Sequence, residues 1–212
     1  MKTGILWDLD GTLLDTLQDL QDGTNYAMDA FGYPRRTLEE VRQFVGNGAR
    51  NLLIKAAPAE ADIDAVLAAF HEYYDVHCQD KTSPYPGILE ALARLAEKYP
   101  MAIVSNKPDV AVKPLCEKYF PGLYARGEIA GCPRKPAPEM VYAAMEAIGV
   151  ERCVYVGDSE VDIATAKNAG VPCLSVLWGF RDRETLEQAG GTHFCENTAC
   201  LVEKLEELVN GK

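Results

Sequence analysis

The 212-residue chain is 48% hydrophobic and 25% charged, a balance that excludes a disordered or low-complexity protein and suits one ordinary domain or a domain carrying an insertion. Thirty-two acidic against 21 basic side chains give a net charge of −11. With Lys and Arg scattered, an extended nucleic-acid surface and a membrane-surface partner are excluded, whereas a small anionic substrate held by local cations and backbone amides is not.

In chain order, Gly4-Ile5-Leu6-Trp7 is the first predicted strand. It follows Met1-Lys2-Thr3 directly, without the longer apolar stretch and cleavage site of a secretory signal, and no run of about 18 apolar residues exists to span a membrane. The expectation is a cytoplasmic protein. Residues from about Thr16 to Asp80 carry helical periodicity throughout (Leu17, Leu20, Tyr26, Ala27, Ala30, Phe31; Leu52, Leu53, Ala56; Val66, Leu67, Phe70, Tyr73), and a turn-rich connector, Ser83-Pro84-Tyr85-Pro86-Gly87, closes the stretch. Beyond it, the apolar runs Met101–Val104, Cys153–Val156 and Cys173–Leu177 read as strands buried on both faces. They alternate with amphipathic segments at Ile88–Tyr99 and Glu139–Ile148, and a last helix is expected from about Thr198 to Val209. The predicted architecture is α/β, a doubly wound, mostly parallel sheet with a Rossmann-like core (residues 1–15 and 84–212) and an inserted α-helical cap (16–83). Seven cysteines without a Cys-x-x-Cys pair read as reduced thiols, and three dispersed histidines are too few for a zinc site.

Ligands of open parallel sheets bind beyond the carboxyl ends of the strands. There the chain places Asp8-Leu9-Asp10-Gly11-Thr12, Ser105-Asn106-Lys107 and Gly157-Asp158-Ser159. Crowded aspartates repel one another and are costly to remove from water, a conflict that a hard divalent cation such as Mg²⁺ resolves. Asp8 and Asp10, two apart in extended chain, point the same way. One can serve as nucleophile and the other as acid–base partner, with the amides of Gly11 and Thr12 turned toward an anion. Each feature alone has a plainer reading: Asp10-Gly11 as a turn, Ser105 as a helix cap, Lys135 as a solvated lysine, Asp158 and Asp162 as first-turn helix acids.

Taken together, these residues resemble the haloacid dehalogenase-like hydrolase superfamily. The run Ile5 to Thr16 (ILWDLDGTLLDT) is similar to its first motif, Ser105 after an apolar strand to its second, Lys135 in Pro133–Glu139 to its third, and Gly157-Asp158-Ser159-Glu160-Val161-Asp162 to its fourth. The matching core spans about two-thirds of the chain, and the helical insertion falls where the superfamily carries its helical cap. The resemblance implies that Asp8 attacks phosphorus to form an aspartyl-phosphate and that Asp10 protonates the leaving group and then activates water. It further implies that Asp8, Asp158 and the Asp10 carbonyl bind Mg²⁺, with Asp162 acting through water or by orienting Lys135. Ser105, Asn106, Lys135, Gly11 and Thr12 are then expected to hold phosphate.

Presence of Asp10 favours phosphate-ester chemistry over carbon–halogen or carbon–phosphorus cleavage. Sugar phosphomutases resembling β-phosphoglucomutase carry histidine three residues after the Thr that opens the cap; here Thr16-Leu17-Gln18-Asp19 has aspartate. The segment Phe44-Val45-Gly46-Asn47-Gly48-Ala49-Arg50 resembles the cap of the phosphoglycolate phosphatase subgroup, which makes Gly46, Asn47 and Arg50, with Lys55 as an alternative cation, candidates for substrate recognition. Trp178 and Phe180, like Tyr73-Tyr74, read better as packing than as substrate contacts. The expected substrate is a small phosphorylated metabolite such as phosphoglycolate. A mutase, a pyrophosphatase and a catalytically silent binding protein remain the alternatives. A monomer or weak homodimer is expected, with Thr12–Asp19 and Thr82–Gly87 as hinges for cap closure.

Overall fold

A computed structural model describes residues 2–211; Met1 and Lys212, the expected ends of the core, lie outside the described residues. Packing divides the chain into a core unit, residues up to Leu14 and from Pro84 onward, and a helical unit, Asp15–Ser83. In chain order the elements are β1 Thr3–Trp7, β2 Leu14–Asp15, α1 Leu17–Ala30, α2 Leu38–Phe44, α3 Gly48–Ala56, α4 Ile63–His77, β3 Ser83–Pro84, α5 Ile88–Ala96, β4 Met101–Pro108, α6 Asp109–Tyr119, β5 Tyr124–Glu128, α7 Glu139–Ala147, β6 Arg152–Gly157, α8 Glu160–Ala169, β7 Cys173–Val176, α9 Arg183–Gln188, β8 His193–Cys195 and α10 Leu201–Val209, the last preceded by a 3₁₀ turn at Thr198–Cys200.

The core sheet runs β5-β4-β1-β6-β7-β8, and its paired strands are all parallel. From β1 the chain winds outward in both directions, so β1 sits at the topological switch point. Side-chain alternation assigns the two faces. Ile5, Trp7, Ile103, Val154 and Val156 pack with α5, α6 and α10. Leu6, Ala102, Val104, Cys153 and Tyr155 pack with α7 and α8. Both faces are therefore covered, which explains why β1, β4 and β6 read as continuous apolar runs. The fold is α/β and doubly wound with an inserted helical unit. β5 and β8, which apolar runs did not predict, are the sheet's edges, where one side of a strand needs less apolar surface.

In the helical unit, α1 and α4 are the main packing pair, closed over Leu20, Ala27, Met28, Val66, Phe70 and Tyr74. Gly23 of α1 permits the close approach: a Cβ there would lie 3.0 Å from the Phe70 ring and 3.1 Å from Tyr74. Thr37 and Glu40 form a reciprocal capping box that starts α2, and the Asp62 carboxylate caps α4. Tyr73 stacks on Tyr26 at 5.0 Å and on His77 at 4.3 Å. β2 and β3 pair as a two-stranded ribbon where the chain enters and leaves this unit.

Candidate active site

The carboxyl ends of β1, β4 and β6, the three central strands, converge on one edge of the core sheet. Asp8 follows β1 and is anchored there by its N–H, which donates to the Val156 carbonyl at 2.8 Å. The chain then turns tightly: Leu13 and Leu14 N–H groups both donate to the Leu9 carbonyl, and Gly11 takes φ +86°. A Cβ on Gly11, or on Gly179 after β7, would overlap the Asp158 carboxylate. Glycine at these two positions is what lets Asp158 lie beside the Asp8–Thr12 turn.

Lys135, on the loop before α7, is 2% exposed. Its Nζ lies 2.8 Å from Asp8 Oδ1, 2.8 Å from Asp162 Oδ1 and 3.1 Å from the Tyr155 hydroxyl. Burial opposes its charge, but Asp162 and Asp8 outweigh that and hold the ammonium well above the usual lysine range. Asn106 fixes the loop: its carboxamide donates to the Lys135 carbonyl at 3.0 Å and accepts from the Lys135 N–H at 2.8 Å. Asn106, expected at the phosphate, has a side chain that aligns the Lys135 backbone.

Asp162 opens α8. Its Oδ2 accepts from the Ser159 N–H and hydroxyl at 3.1 and 2.6 Å, while Oδ1 faces Lys135. Both oxygens are thus engaged in orienting neighbours. Asp158 accepts from the Thr12 hydroxyl at 3.3 Å and from the Phe180 N–H at 2.7 Å. The Thr12 hydroxyl, expected at the phosphate, is in this way directed at the Asp158 carboxylate. Burial, then Asp162, pushes Asp158 up to about 7. Burial, then Asp162, also raises Asp8 well above the usual carboxylate range, against the pull of Lys135.

Asp8, Asp158 and Asp162 each offer an oxygen within 4.8 Å of the others. Ionised together, the three carboxylates would exceed the charge of the Lys135 ammonium by two in a site out of water. That excess, and an all-oxygen donor set, fit a hard divalent cation. Since both oxygens of Asp162 already serve Lys135 and Ser159, Asp8 and Asp158 are the side chains best placed to hold one.

Asp10 points to a second cation. Lys107 Nζ lies 2.9 Å from Asp10 Oδ1, with the two side chains 4% and 13% exposed. The Ser105 hydroxyl donates to Asp10 Oδ2 at 3.4 Å and accepts from the Lys107 N–H at 3.1 Å. Sequence reasoning placed Lys107 at the strand end but gave it no role. The signal available was its place two residues beyond Ser105 in an extended strand. β4 extends four residues past its predicted end, so Ser105, Asn106 and Lys107 lie within the strand itself.

The remaining candidates, Gly46, Asn47 and Arg50, belong to the helical unit. Gly46 and Gly48 take φ +128° and +77°, and α3 begins at Gly48. Arg50 pairs with Asp64, the two side chains 47% and 81% exposed. Trp178 donates from its indole nitrogen to the Thr12 carbonyl at 3.0 Å, and Phe180 is buried, so both pack the sheet end as expected.

The sequence profile of the haloacid dehalogenase-like hydrolases matches residues 5–176. The chain is 34% identical to phosphoglycolate phosphatase 1 of Pseudomonas aeruginosa over 93% of its own length and 78% of that protein's. It is 37% identical to a phosphoglycolate phosphatase of Rhodobacter capsulatus over 85% of its length and 87% of the relative's. A crystal structure from Lactobacillus delbrueckii subsp. bulgaricus, provisionally named a phosphoglycolate phosphatase, superposes with a TM-score of 0.89 at 38% identity, covering 97% of this chain and 99% of that one. The chain thus belongs to the haloacid dehalogenase-like hydrolase family, and its resemblance within it is to phosphoric monoester hydrolases.

Proposed function

We propose that the chain is a Mg²⁺-dependent phosphatase of a small carboxylated phosphate monoester, phosphoglycolate or a close analogue, acting through an aspartyl-phosphate on Asp8. The observation that carries this reading is the buried group of Asp8, Asp158 and Asp162 around Lys135, with its excess of carboxylates over cations at the switch point of the sheet. The names of the relatives supply the preference for phosphoglycolate.

The Asp8 carboxylate attacks phosphorus in line and forms an acyl-phosphate bond as the ester P–O bond breaks. Asp10 gives a proton to the departing alkoxide. It then takes one from the water that attacks phosphorus, breaks the acyl-phosphate P–O bond and regenerates Asp8. Lys135 and the Ser105 hydroxyl hold the non-reacting phosphoryl oxygens, with Asp162 and Asn106 fixing Lys135. Asp8, the Asp10 carbonyl and Asp158 would hold Mg²⁺, which when bound would supply the positive charge that lets a carboxylate approach a phosphate dianion. The helical unit, residues 15–83, acts as the substrate-selecting cap, with Gly46, Asn47 and Arg50 as its recognition residues.

Hydrolysis is favoured over isomerisation by Asp19, at the position where sugar phosphomutases carry histidine. Its carboxylate accepts from the Lys81 N–H and from the Thr82 N–H and hydroxyl, an anchoring role in place of the coupling histidine. The reading is of a cytoplasmic enzyme, a monomer or weak homodimer, acting on a diffusible metabolite. No helix among the described residues is long and apolar enough to cross a membrane.

Phosphate release with Mg²⁺ from phosphoglycolate, hexose phosphates, nucleotides and pyrophosphate, with Asp8→Asn as blank, tests the proposal. Release is expected from phosphoglycolate above the others and none from Asp8→Asn. Isomerisation of a sugar 1-phosphate, or release undiminished in Asp8→Asn, overturns it.

A further inference from the structure

We infer that Lys107 is the positioning residue for Asp10, fixing which carboxylate oxygen meets the leaving group; this rests on the acid–base role proposed above for Asp10. Ser105 and Lys107 stand two apart in β4, where its pairing with β5 shifts register, and both side chains reach Asp10. Together they hold both oxygens of one carboxylate, Lys107 at Oδ1 (2.9 Å) and Ser105 at Oδ2 (3.4 Å). A lysine is almost never buried unless it is paired, because removing its ammonium from water is costly. Lys107 is nonetheless nearly as deeply buried as Lys135, and the mechanism above gives it no task.

The two contacts differ in kind. The 2.9 Å pair is charge-assisted and short, so it pins Oδ1. At 3.4 Å the hydroxyl contact to Oδ2 is long for an O–H···O bond and easily exchanged. When a phosphoryl group arrives, the Ser105 hydroxyl turns from Asp10 to a phosphoryl oxygen and releases Oδ2, while Lys107 keeps Oδ1 in place. Oδ2, freed from the hydroxyl, then takes up a proton from solvent water and passes it to the leaving alkoxide. Without Lys107, Asp10 is free to rotate between orientations, only some of which reach the leaving oxygen, and misplacement of a catalytic group by about 1 Å can cost on the order of 10²-fold.

An ester whose leaving group needs no proton separates this role from a structural one. Values of kcat/KM are measured at saturating Mg²⁺ for p-nitrophenyl phosphate and phosphoglycolate with Asp10→Asn, Lys107→Met, Lys107→Gln, Lys107→Arg and Asp10→Asn/Lys107→Met. The two neutral substitutions are run side by side so that a folding failure in one leaves the other. The expected result is a loss of about 10²-fold or more on phosphoglycolate for Asp10→Asn and for the neutral variants at Lys107, with a loss on the aryl ester smaller by about tenfold or more. Lys107→Arg recovers most of the loss, and the double variant is no worse than Asp10→Asn alone. Equal losses on both esters, or none on either, in the Lys107 variants while Asp10→Asn discriminates overturn the role of Lys107 alone. Absence of discrimination in Asp10→Asn overturns the acid–base reading and this inference with it.

Discussion

Two ion pairs, one in each unit, show how differently the same chemistry can be used. Lys135 and its partner Asp162 are 2% and 1% exposed, hydrogen-bonded on every side and fixed by Asn106 and Ser159. Arg50 and Asp64 in the helical unit are 47% and 81% exposed. A buried pair gains little net stability, because desolvation offsets much of the attraction, yet removing one partner strands a charge and is severe. An exposed pair is worth about 0–1 kcal/mol and leaves its members free to change partners. The difference is one of fixity: the core pair is held in one geometry, whereas the exposed pair of the helical unit can exchange partners.

The largest expected effect comes from breaking the buried side. Lys135→Met leaves Asp8 and Asp162 without their cation and should lower stability by about 3–5 kcal/mol by chemical denaturation. It should also cut phosphate release by about 10²–10³-fold, the loss typical of a transition-state donor. A stability change under about 1 kcal/mol would mean that the carboxylates do not depend on Lys135, and the contrast with Arg50 would collapse.

Next in size is the coupling of pH to the divalent cation. Asp158 is raised to about 7 and Asp8 is also raised, from ordinary values near 3.8. Between about pH 4 and 7 the folded protein therefore binds more protons than the unfolded chain, and metal-free stability falls as pH rises through that window. Lys135, raised as well, stays charged there and contributes no slope. Mg²⁺ competes with those protons, so its stabilisation should be larger at pH 7.5 than at pH 5, read as the shift in Tm on adding Mg²⁺. An equal shift at both pH values would contradict the carboxylate site.

The smallest effect is expected on the exposed side. Arg50→Ala should change stability by less than about 0.5 kcal/mol. It should reduce kcat/KM for phosphoglycolate more than for a neutral phosphate ester. Unchanged preference would remove Arg50 from recognition and leave Gly46, Asn47 and Lys55 to be tested in its place.

Much of the arrangement was legible in the sequence because strand periodicity and strand-end chemistry coincide. Asp8, Ser105 and Asp158 follow or end apolar runs that fully covered strands require, and the parallel topology brings such ends to one edge. Other features depend on partners that are distant in sequence. Asp19 anchors Lys81 and Thr82 more than 60 residues away, and Asn106 aligns Lys135 across 29. Neither follows from local pattern. Lys107 was given no role because a lysine at a strand end is ordinarily solvated, and its pairing with Asp10 joins residues 97 apart in sequence. β5 escaped because Tyr124-Ala125-Arg126-Gly127-Glu128 is an edge strand of alternating burial with few apolar residues.

The most direct test of the central claim is to trap the acyl-phosphate. Enzyme quenched during turnover of phosphoglycolate with Mg²⁺ is reduced with borohydride, which converts an aspartyl-phosphate to homoserine, and the peptide containing residues 5–16 is sequenced by mass spectrometry. Homoserine at position 8, absent without substrate and absent in Asp8→Asn, is the predicted result. Homoserine at another aspartate, or none at position 8 in enzyme that releases phosphate under conditions where the intermediate accumulates, would contradict the account.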